Sequence, residues 1–435
     1  MPRHRGGYGD RRAKRWRMDA ISKGPGRDER YMRRALDLAA GGLGRVEPNP
    51  MVGAVVVQGD RIVGEGFHAR FGGPHAEVVA LEQAGPAARG AELFVSLEPC
   101  CHWGKTPPCT TAILAAGLRR VVAAVADPFP QVAGKGLEIL REAGIEVVAG
   151  VLEDAARHKN AAFFKRVKTG LPFVIAKWAM TLDGRIAIVR PEGSRQAAPG
   201  ASAAGDRWIS SEESRRRVHE VRRVCDAVVI GAGTAVADEP QLTVRHCDPL
   251  PERGQPARVI LDGRLIINPA KEPARSARQT PVIIYTTAEA LAAHETRAKA
   301  LRDAGCELVT VPPFSPLPAE GEGSGACQAE ALAKAGEGPI ACGISLEAVL
   351  ADMGTRGWSR VLVEGGPKIF GSLFAAHLAD RVMIFIAPRI LSSSSAPSPA
   401  AGPDGRTLAD SLAISDMRVE QVGPDLLVEG RVGEF

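Results

Sequence analysis

The sequence predicts two α/β domains in tandem, the first a three-layer unit built on a mixed sheet. Three observations lead there. At 435 residues the chain is longer than a single core comfortably fills. Short apolar runs alternate with helical periodicity over residues 28–150, and a fresh alternation starts at Phe173. Between the halves, Gly170-Leu171-Pro172 punctuates the chain. We therefore divide it into a basic tail, 1–27, a first domain, 28–170, and a second domain, 171–435.

The elements follow in order. In the first half 30–41 reads as a helix, 52–58 as a strand, and 60–67 as a turn and strand. Gly72-Gly73-Pro74 opens a helix over 75–83, since proline suits a first helical turn. A strand over 91–97 follows, and Pro107-Pro108 starts a helix over 109–116. A strand over 118–126, a helix over 136–143, a strand over 145–150 and one helical connection over 153–168 complete this half.

The second half has strands over 173–180, 227–231, 258–262, 281–285, 307–311, 360–364, 381–387 and 426–429. A charged helix over 211–224 and an apolar one over 370–378 lie among them. Three segments, 191–206, 312–338 and 392–404, are rich in small residues and poor in large apolar ones. They read as mobile inserted loops.

Composition narrows the function classes. The net charge of +5 is mild, and the densest basic run, Arg11 to Arg17, lies in the tail. A solvated tail is the reading, and Met18 directly after that run is a candidate initiator. No apolar core of a secretory signal follows the basic start, and no apolar run is long enough for a bilayer. Eight cysteines, most of them scattered singly, do not form a disulfide framework and point to a reducing cytoplasm.

Three cysteines are not scattered. His75-Ala76-Glu77 is followed by Pro99-Cys100-Cys101-His102 and, beyond an eight-residue gap after Cys100, by Cys109. One imidazole and two thiolates, His75, Cys100 and Cys109, fill three corners of a zinc tetrahedron and leave the fourth to water. Glu77 sits beside that position and shuttles protons, which is the toolkit of hydrolytic deamination. A purely structural zinc would ask for a fourth protein ligand; Cys101 and His102 are the candidates, and Glu77 would then have no task. The gap between the cysteines carries Lys105, which suggests a phosphorylated or otherwise polar substrate part.

In the second half, Glu364-Gly365-Gly366-Pro367 joins a strand to a helix. Such a turn lets backbone approach a ligand phosphate, although a plain tight turn reads the same way. No Gly-x-Gly-x-x-Gly follows the first strand of this half, which disfavours an ordinary dinucleotide fold.

Several strings together resemble a known family. Pro48-Asn49-Pro50-x-Val52-Gly53, Gly64-Glu65-Gly66-x-His68, Pro74-His75-Ala76-Glu77, and Glu98-Pro99-Cys100 through Pro108-Cys109 are similar to the bifunctional deaminase–reductases of riboflavin biosynthesis. So are Asp127-Pro128-x-Pro130, Asn160 and Phe163. Lys177-x-x-x-Thr181-Leu182-Asp183-Gly184-Arg185, Trp208-Ile209-Ser210, Gly231-x-x-Thr234-x-x-x-Asp238 and Val363-Glu364-Gly365-Gly366-Pro367 continue the likeness. Phe129 stands where the family usually has Asn, Asp206 where it has Ser, and Ser392-Ser393 where it has Gly-Gly.

The resemblance implies a cytidine-deaminase-like domain followed by a dihydrofolate-reductase-like α/β domain, with one Zn2+ per chain and NADPH. It assigns Asn49, His68 and Lys105 to the deaminase substrate. It assigns Met180, Trp208, Ser210, Thr234, Asp238 and Gly366 to the cofactor, and Asp206, Arg222, Leu242, Arg245 and Glu364 to the reductase substrate. Lys177 or Asp238 would serve proton transfer. The implied reactions are deamination of 2,5-diamino-6-ribosylamino-4(3H)-pyrimidinone 5′-phosphate and reduction of its ribosyl chain to ribityl. The expected partner is this small pyrimidine ribotide, not nucleic acid or membrane, and identical copies are expected to assemble. Two other readings are a deaminase whose second half only dimerises, and a nucleic-acid deaminase with a basic arm. Sparse aromatics, 5% of the chain, argue against the last.

Overall fold

The computed structural model describes residues 26–186, 208–247, 250–314, 343–402 and 407–435. Residues 1–25 of the basic tail, Asp206, the 191–206 segment and most of 312–338 lie outside the described residues, while Arg27, placed in the tail, opens the first helix.

The first domain is a five-stranded mixed sheet with helices on both faces. Its order is β2-β1-β3-β4-β5, with β1 (Gly53–Gln58) antiparallel to both β2 (Arg61–Phe67) and β3 (Glu92–Val95). β4 (Arg120–Ala123) and β5 (Glu146–Ala149) continue parallel to β3. One face is covered by α1 (Arg27–Ala39), α5 (Glu153–Lys159) and α6 (Ala161–Thr169). The other carries α2 (Ala76–Ala84), α3 (Cys109–Ala116) and α4 (Lys135–Glu142).

The seating of α2 decides where the zinc ligands fall. Gly64 and Gly66 on β2 face its Ala76, Ala80 and Ala84, and a Cβ on either glycine would collide with helix backbone. Small residues on both sides let the helix lie almost on the strand.

The second domain is a nine-stranded sheet in the order β10-β9-β8-β7-β11-β6-β12-β14-β13. Seven strands are parallel: β6 (Phe173–Thr181), β7 (Ala227–Gly231), β8 (Ala257–Leu261), β9 (Val282–Thr286), β10 (Glu307–Thr310), β11 (Arg360–Val363) and β12 (Arg381–Ala387). The antiparallel hairpin of β13 (Ser415–Val422) and β14 (Asp425–Arg431) ends the sheet. The helices are α7 (Glu212–Arg223), α8 (Ala232–Asp238), α9 (Ala288–Ala293), α10 (Glu295–Ala304), α11 (Leu346–Thr355) and α12 (Pro367–Ala375). The central strands are buried on both faces, as near-continuous apolar runs such as Ala227-Val228-Val229-Ile230 require.

Four sequence expectations need correction. The single helix over 153–168 is two, broken at Asn160, whose amide accepts from Met51 N–H and donates to Met51 carbonyl, both at 2.8 Å. Those bonds draw Asn160 out of helical geometry and fix the loop that carries Asn49. The apolar helix begins at Pro367 rather than at 370, because the glycine turn already serves as its cap. Edge strand β13 escaped notice since seven of its eight residues are exposed and give no buried pattern.

The fourth concerns 392–402, which is tethered rather than loose. Asp183 accepts from Leu391 and Ser392 N–H, Ile186 N–H donates to Pro397, and Ala401 N–H donates to Pro367. Backbone groups make these bonds, so composition does not show them. Ser392 holds φ 51°, the left-handed region that glycine takes without strain.

The domains meet through α6 and the 42–49 loop. Ala162 packs with Phe173 and Ile175 of the second core, whereas Phe164 faces the first. Lys165 and Asp380 pair at 2.6 Å, both buried, and Asp380 also accepts from Val174 N–H at 2.7 Å. Glu47 accepts from Arg360 at 3.3 Å and from Gly44 N–H at 3.0 Å.

Candidate active sites

Three donors converge beside α2 and α3. His75 caps α2, Cys100 lies in the turn five residues beyond β3, and Cys109 is the first residue of α3. His75 Nδ1 lies 3.2 Å from Cys109 Sγ and 3.4 Å from Cys100 Sγ. All three donor atoms fall within 4.8 Å of one another. Tetrahedral zinc with Zn–N and Zn–S bonds of about 2.0–2.3 Å spaces its ligands at about 3.6 Å, so this set fits zinc.

Charge at the site follows from the helix starts. The free N–H of Cys109 donates to Cys100 Sγ at 3.3 Å, as an uncapped first-turn amide can. With the Cys109 thiol and His75 also bonded to it, Cys100 is held down at about 4. Cys109 is pushed up by that same bond and by burial. Glu77, buried in the first turn of α2, is raised by burial to about 7, against the pull of His75. A carboxyl poised near neutrality is what a proton carrier needs.

Supporting residues fix this geometry. Thr106 Oγ1 lies 3.3 Å from His75 Nε2, so the ring is held on the side away from the sulfurs. Buried Glu98 accepts from the amides of Asp127, Gly134, Gly136 and Leu137 at 2.9–3.3 Å. It thereby ties the start of α4 beneath the Pro99-Cys100 turn.

Of the residues assigned to the deaminase substrate, His68 lies beside the zinc ligand His75, with ring centres 5.4 Å apart. Buried His68 is held by Pro74 carbonyl at 2.9 Å, and Asn49 Nδ2 is 3.4 Å from its Nε2. Burial lowers the His68 pKa. Exposed Lys105 places its ammonium 3.9 Å from the ring centre of Phe71.

The second cluster lies at the carboxyl ends of β6, β11 and β7, neighbours in the sheet. Such an edge, where the chain order reverses, is where open α/β sheets take ligands. Lys177 on β6, Arg222 on α7 and Glu364 just after β11 form one charged knot. Arg222 Nε donates to Glu364 at 2.6 Å and Lys177 Nζ is 3.7 Å away. Burial opposes the Glu364 charge, but the two cations outweigh it and hold the carboxyl at about 2. Burial lowers Lys177 despite Glu364.

The cofactor assignments fall on both sides of this knot. Met180 is near the end of β6, Thr234 is in the first turn of α8, and Gly366 caps α12. A Cβ on Gly366 would come 3.5 Å from Thr234 Oγ1, and no side chain caps α12. An open floor with uncapped amides fits the phosphates of a dinucleotide. Ser210 carbonyl accepts from Arg215, whose guanidinium lies 5.1 Å from the Trp208 ring centre. Asp238 ends α8 and is exposed. Leu242 points into the core at 2% exposure with φ 56°.

Comparison with known proteins decides the family. A model of the RibD C-terminal domain matches residues 172–428, and one of the cytidine and deoxycytidylate deaminase zinc-binding region matches 25–125. The riboflavin biosynthesis protein RibD of Aquifex aeolicus is 37% identical over 92% of this chain and 97% of its own length. The chain belongs to the RibD family. The Escherichia coli RibD is 34% identical over 92% of this chain and 98% of its own. In structure, Acinetobacter baumannii RibD superposes with a TM-score of 0.72 at 32% identity, covering 93% of this chain and 98% of that one. A Thermotoga maritima diaminohydroxyphosphoribosylaminopyrimidine deaminase/5-amino-6-(5-phosphoribosylamino)uracil reductase gives 0.68 at 34%, covering 93% and 99%.

As a RibD protein, the chain is a bifunctional enzyme of riboflavin biosynthesis, a zinc deaminase joined to an NADPH-dependent reductase. No described helix is long and apolar enough to cross a membrane.

Sequence reading missed four residues that shape the sites. Thr106 and Glu98 lie inside the quoted strings, with nothing local to show their bonds. His219 stands one helical turn before Arg222, a spacing that could have pointed to it. Gln255 has no sequence signal.

Proposed function

We propose that the first site deaminates 2,5-diamino-6-ribosylamino-4(3H)-pyrimidinone 5′-phosphate and that the second reduces the resulting aminouracil to 5-amino-6-(5-phosphoribitylamino)uracil. The observation that carries the deaminase half is the His75–Cys100–Cys109 triangle with Glu77 buried beside it. His75, Cys100 and Cys109 would hold zinc there, and it would supply Lewis acidity to activate water at neutral pH. Glu77, buried beside these donors, would carry a proton from water to the departing ammonia. Asn49 and His68 hold the pyrimidine, and Lys105 faces the phosphate.

In the reductase half NADPH supplies the hydride. Arg222 and Arg245 hold the substrate phosphate and Glu364 orients the sugar. Lys177, its pKa lowered by burial, passes the proton that opens the ribosylamine ring. Met180, Thr234 and Gly366 bound the cofactor, with Trp208, Ser210 and Asp238 at its edge.

The unpaired cysteines, among them Cys225, Cys247 and Cys306, support action in a reducing cytoplasm. There the enzyme would act as an assembly of identical chains on a free ribotide.

Incubating the protein with the diaminopyrimidine, with and without NADPH, tests the reading when ammonia and NADPH are followed separately. Ammonia release in both arms and NADPH oxidation in one are expected. Ammonia without any NADPH oxidation would reject the reductase half.

A further inference from the structure

The segment 239–246, between α8 and β8, holds three non-glycine residues in the left-handed region: Glu239 at φ 43°, Leu242 at φ 56° and His246 at φ 56°. Backbone of this kind is strained for a residue with a Cβ and persists where surroundings over-determine it. Here they do. Leu242 and Val244 are buried. Gln255 clasps Val244 on both sides, accepting its N–H at 2.6 Å and donating to its carbonyl at 3.1 Å. From α7, Arg222 Nη1 donates to Thr243 carbonyl at 3.1 Å, and His219 Nδ1 accepts from Arg245 N–H at 3.1 Å.

Between the braced residues Thr243 and Val244 and the end of the segment, Arg245 holds its side chain in the open. The Arg245 guanidinium makes no hydrogen bond or ion pair among the described residues. Burial and then the charge of Arg222 lower its pKa, so the two cations feel one another.

We propose that His219 is the positioning residue for Arg245, its neutral imidazole accepting the Arg245 amide so that the guanidinium is aimed at the phosphate of the reductase substrate. This rests on the reading of Arg222 and Arg245 as the phosphate clamp. The chemistry of the ring suits the task. Acceptance at Nδ1 requires the proton on Nε2, hence an uncharged ring. Burial, Arg222, Arg245 and the His246 ring, edge-on at 5.3 Å, hold His219 at about 4. A charged ring would lose its acceptor and add a third cation to the clamp. A side chain that merely filled space would need no acceptor.

The test measures reductase KM and kcat, NADPH affinity and thermal midpoint in the full-length zinc-loaded protein with the phosphorylated aminouracil ribosylamine. His219→Leu is expected to raise KM about tenfold, the loss of one hydrogen bond, with kcat within about twofold and NADPH affinity unchanged. His219→Gln, which keeps an acceptor, is expected to return KM to within about threefold of wild type. Added to Arg245→Ala, His219→Leu is expected to cost nothing further. An unchanged KM in His219→Leu beside a raised KM in Arg245→Ala overturns the positioning role and leaves the clamp standing. An unchanged KM in Arg245→Ala overturns the clamp itself. A His219→Leu protein that loses thermal stability and NADPH affinity together with KM assigns the ring a structural role and also overturns the proposal.

Discussion

The deaminase site is compact in sequence, the reductase site dispersed, and the two differ in what holds them together. His75, Glu77, Cys100 and Cys109 fall inside 35 consecutive residues and converge on one point. Lys177, Arg222, Arg245 and Glu364 span nearly half the chain and meet only because β11 is inserted between β6 and β7. A metal dictates its ligands' types and spacing locally. A sheet edge dictates only where strands end, and charge pairing has to do the rest.

The largest effect that tests this contrast lies at the compact site. Glu77→Gln keeps all three metal donors and removes the proton carrier. Ammonia release should fall about 10³-fold, with zinc content and NADPH binding unchanged. Loss of zinc along with activity would mean that Glu77 belongs to the metal shell.

The dispersed site should instead fail through stability. Glu364→Ala leaves Arg222 and Lys177 as buried cations without their partner. Denaturant titration should show a loss of about 3–5 kcal/mol in the second domain, with the deaminase still active. A well-folded variant with full hydride transfer would remove Glu364 from the account.

A smaller effect separates the halves by pH. Burial and neighbouring cations lower His219 from its usual 6.5 to about 4. Between these values the unfolded chain binds the proton and the folded one does not, so stability is full above about pH 6.5 and declines as pH falls toward 4. The second domain should lose about 2 kcal/mol over that window. His219→Gln should flatten the decline, and an equal slope in the variant would place its cause elsewhere.

The smallest expected change is at the zinc support. Thr106→Val removes the partner of His75 Nε2 and should weaken zinc about tenfold in chelator competition. Unaltered affinity would show that the ring is held by packing alone.

The same contrast explains how much was legible in the sequence. Helix 109–116 and strands 227–231 and 381–387 were read to the residue, because proline pairs and uninterrupted apolar runs define them locally. The zinc triangle was legible because few chemistries join His-x-Glu to two spaced cysteines. The break at Asn160 was not, since its partner Met51 lies over a hundred residues away. Nor was the bracing of 239–246 by His219 and Gln255, where long-range bonds override local preference.

The central claim is that one chain carries two separate catalytic centres acting in series, and mixing two variants tests it most directly. Glu77→Gln and Glu364→Gln would each be given the diaminopyrimidine substrate and NADPH, alone and together, and the ribityl product measured. Alone, Glu77→Gln should release ammonia only at its about 10³-fold lowered rate, and Glu364→Gln should release ammonia without oxidising NADPH. Together they should form the ribityl product. NADPH oxidation by Glu77→Gln alone at the wild-type rate, or no product from the mixture of two folded, NADPH-binding proteins, would contradict the account.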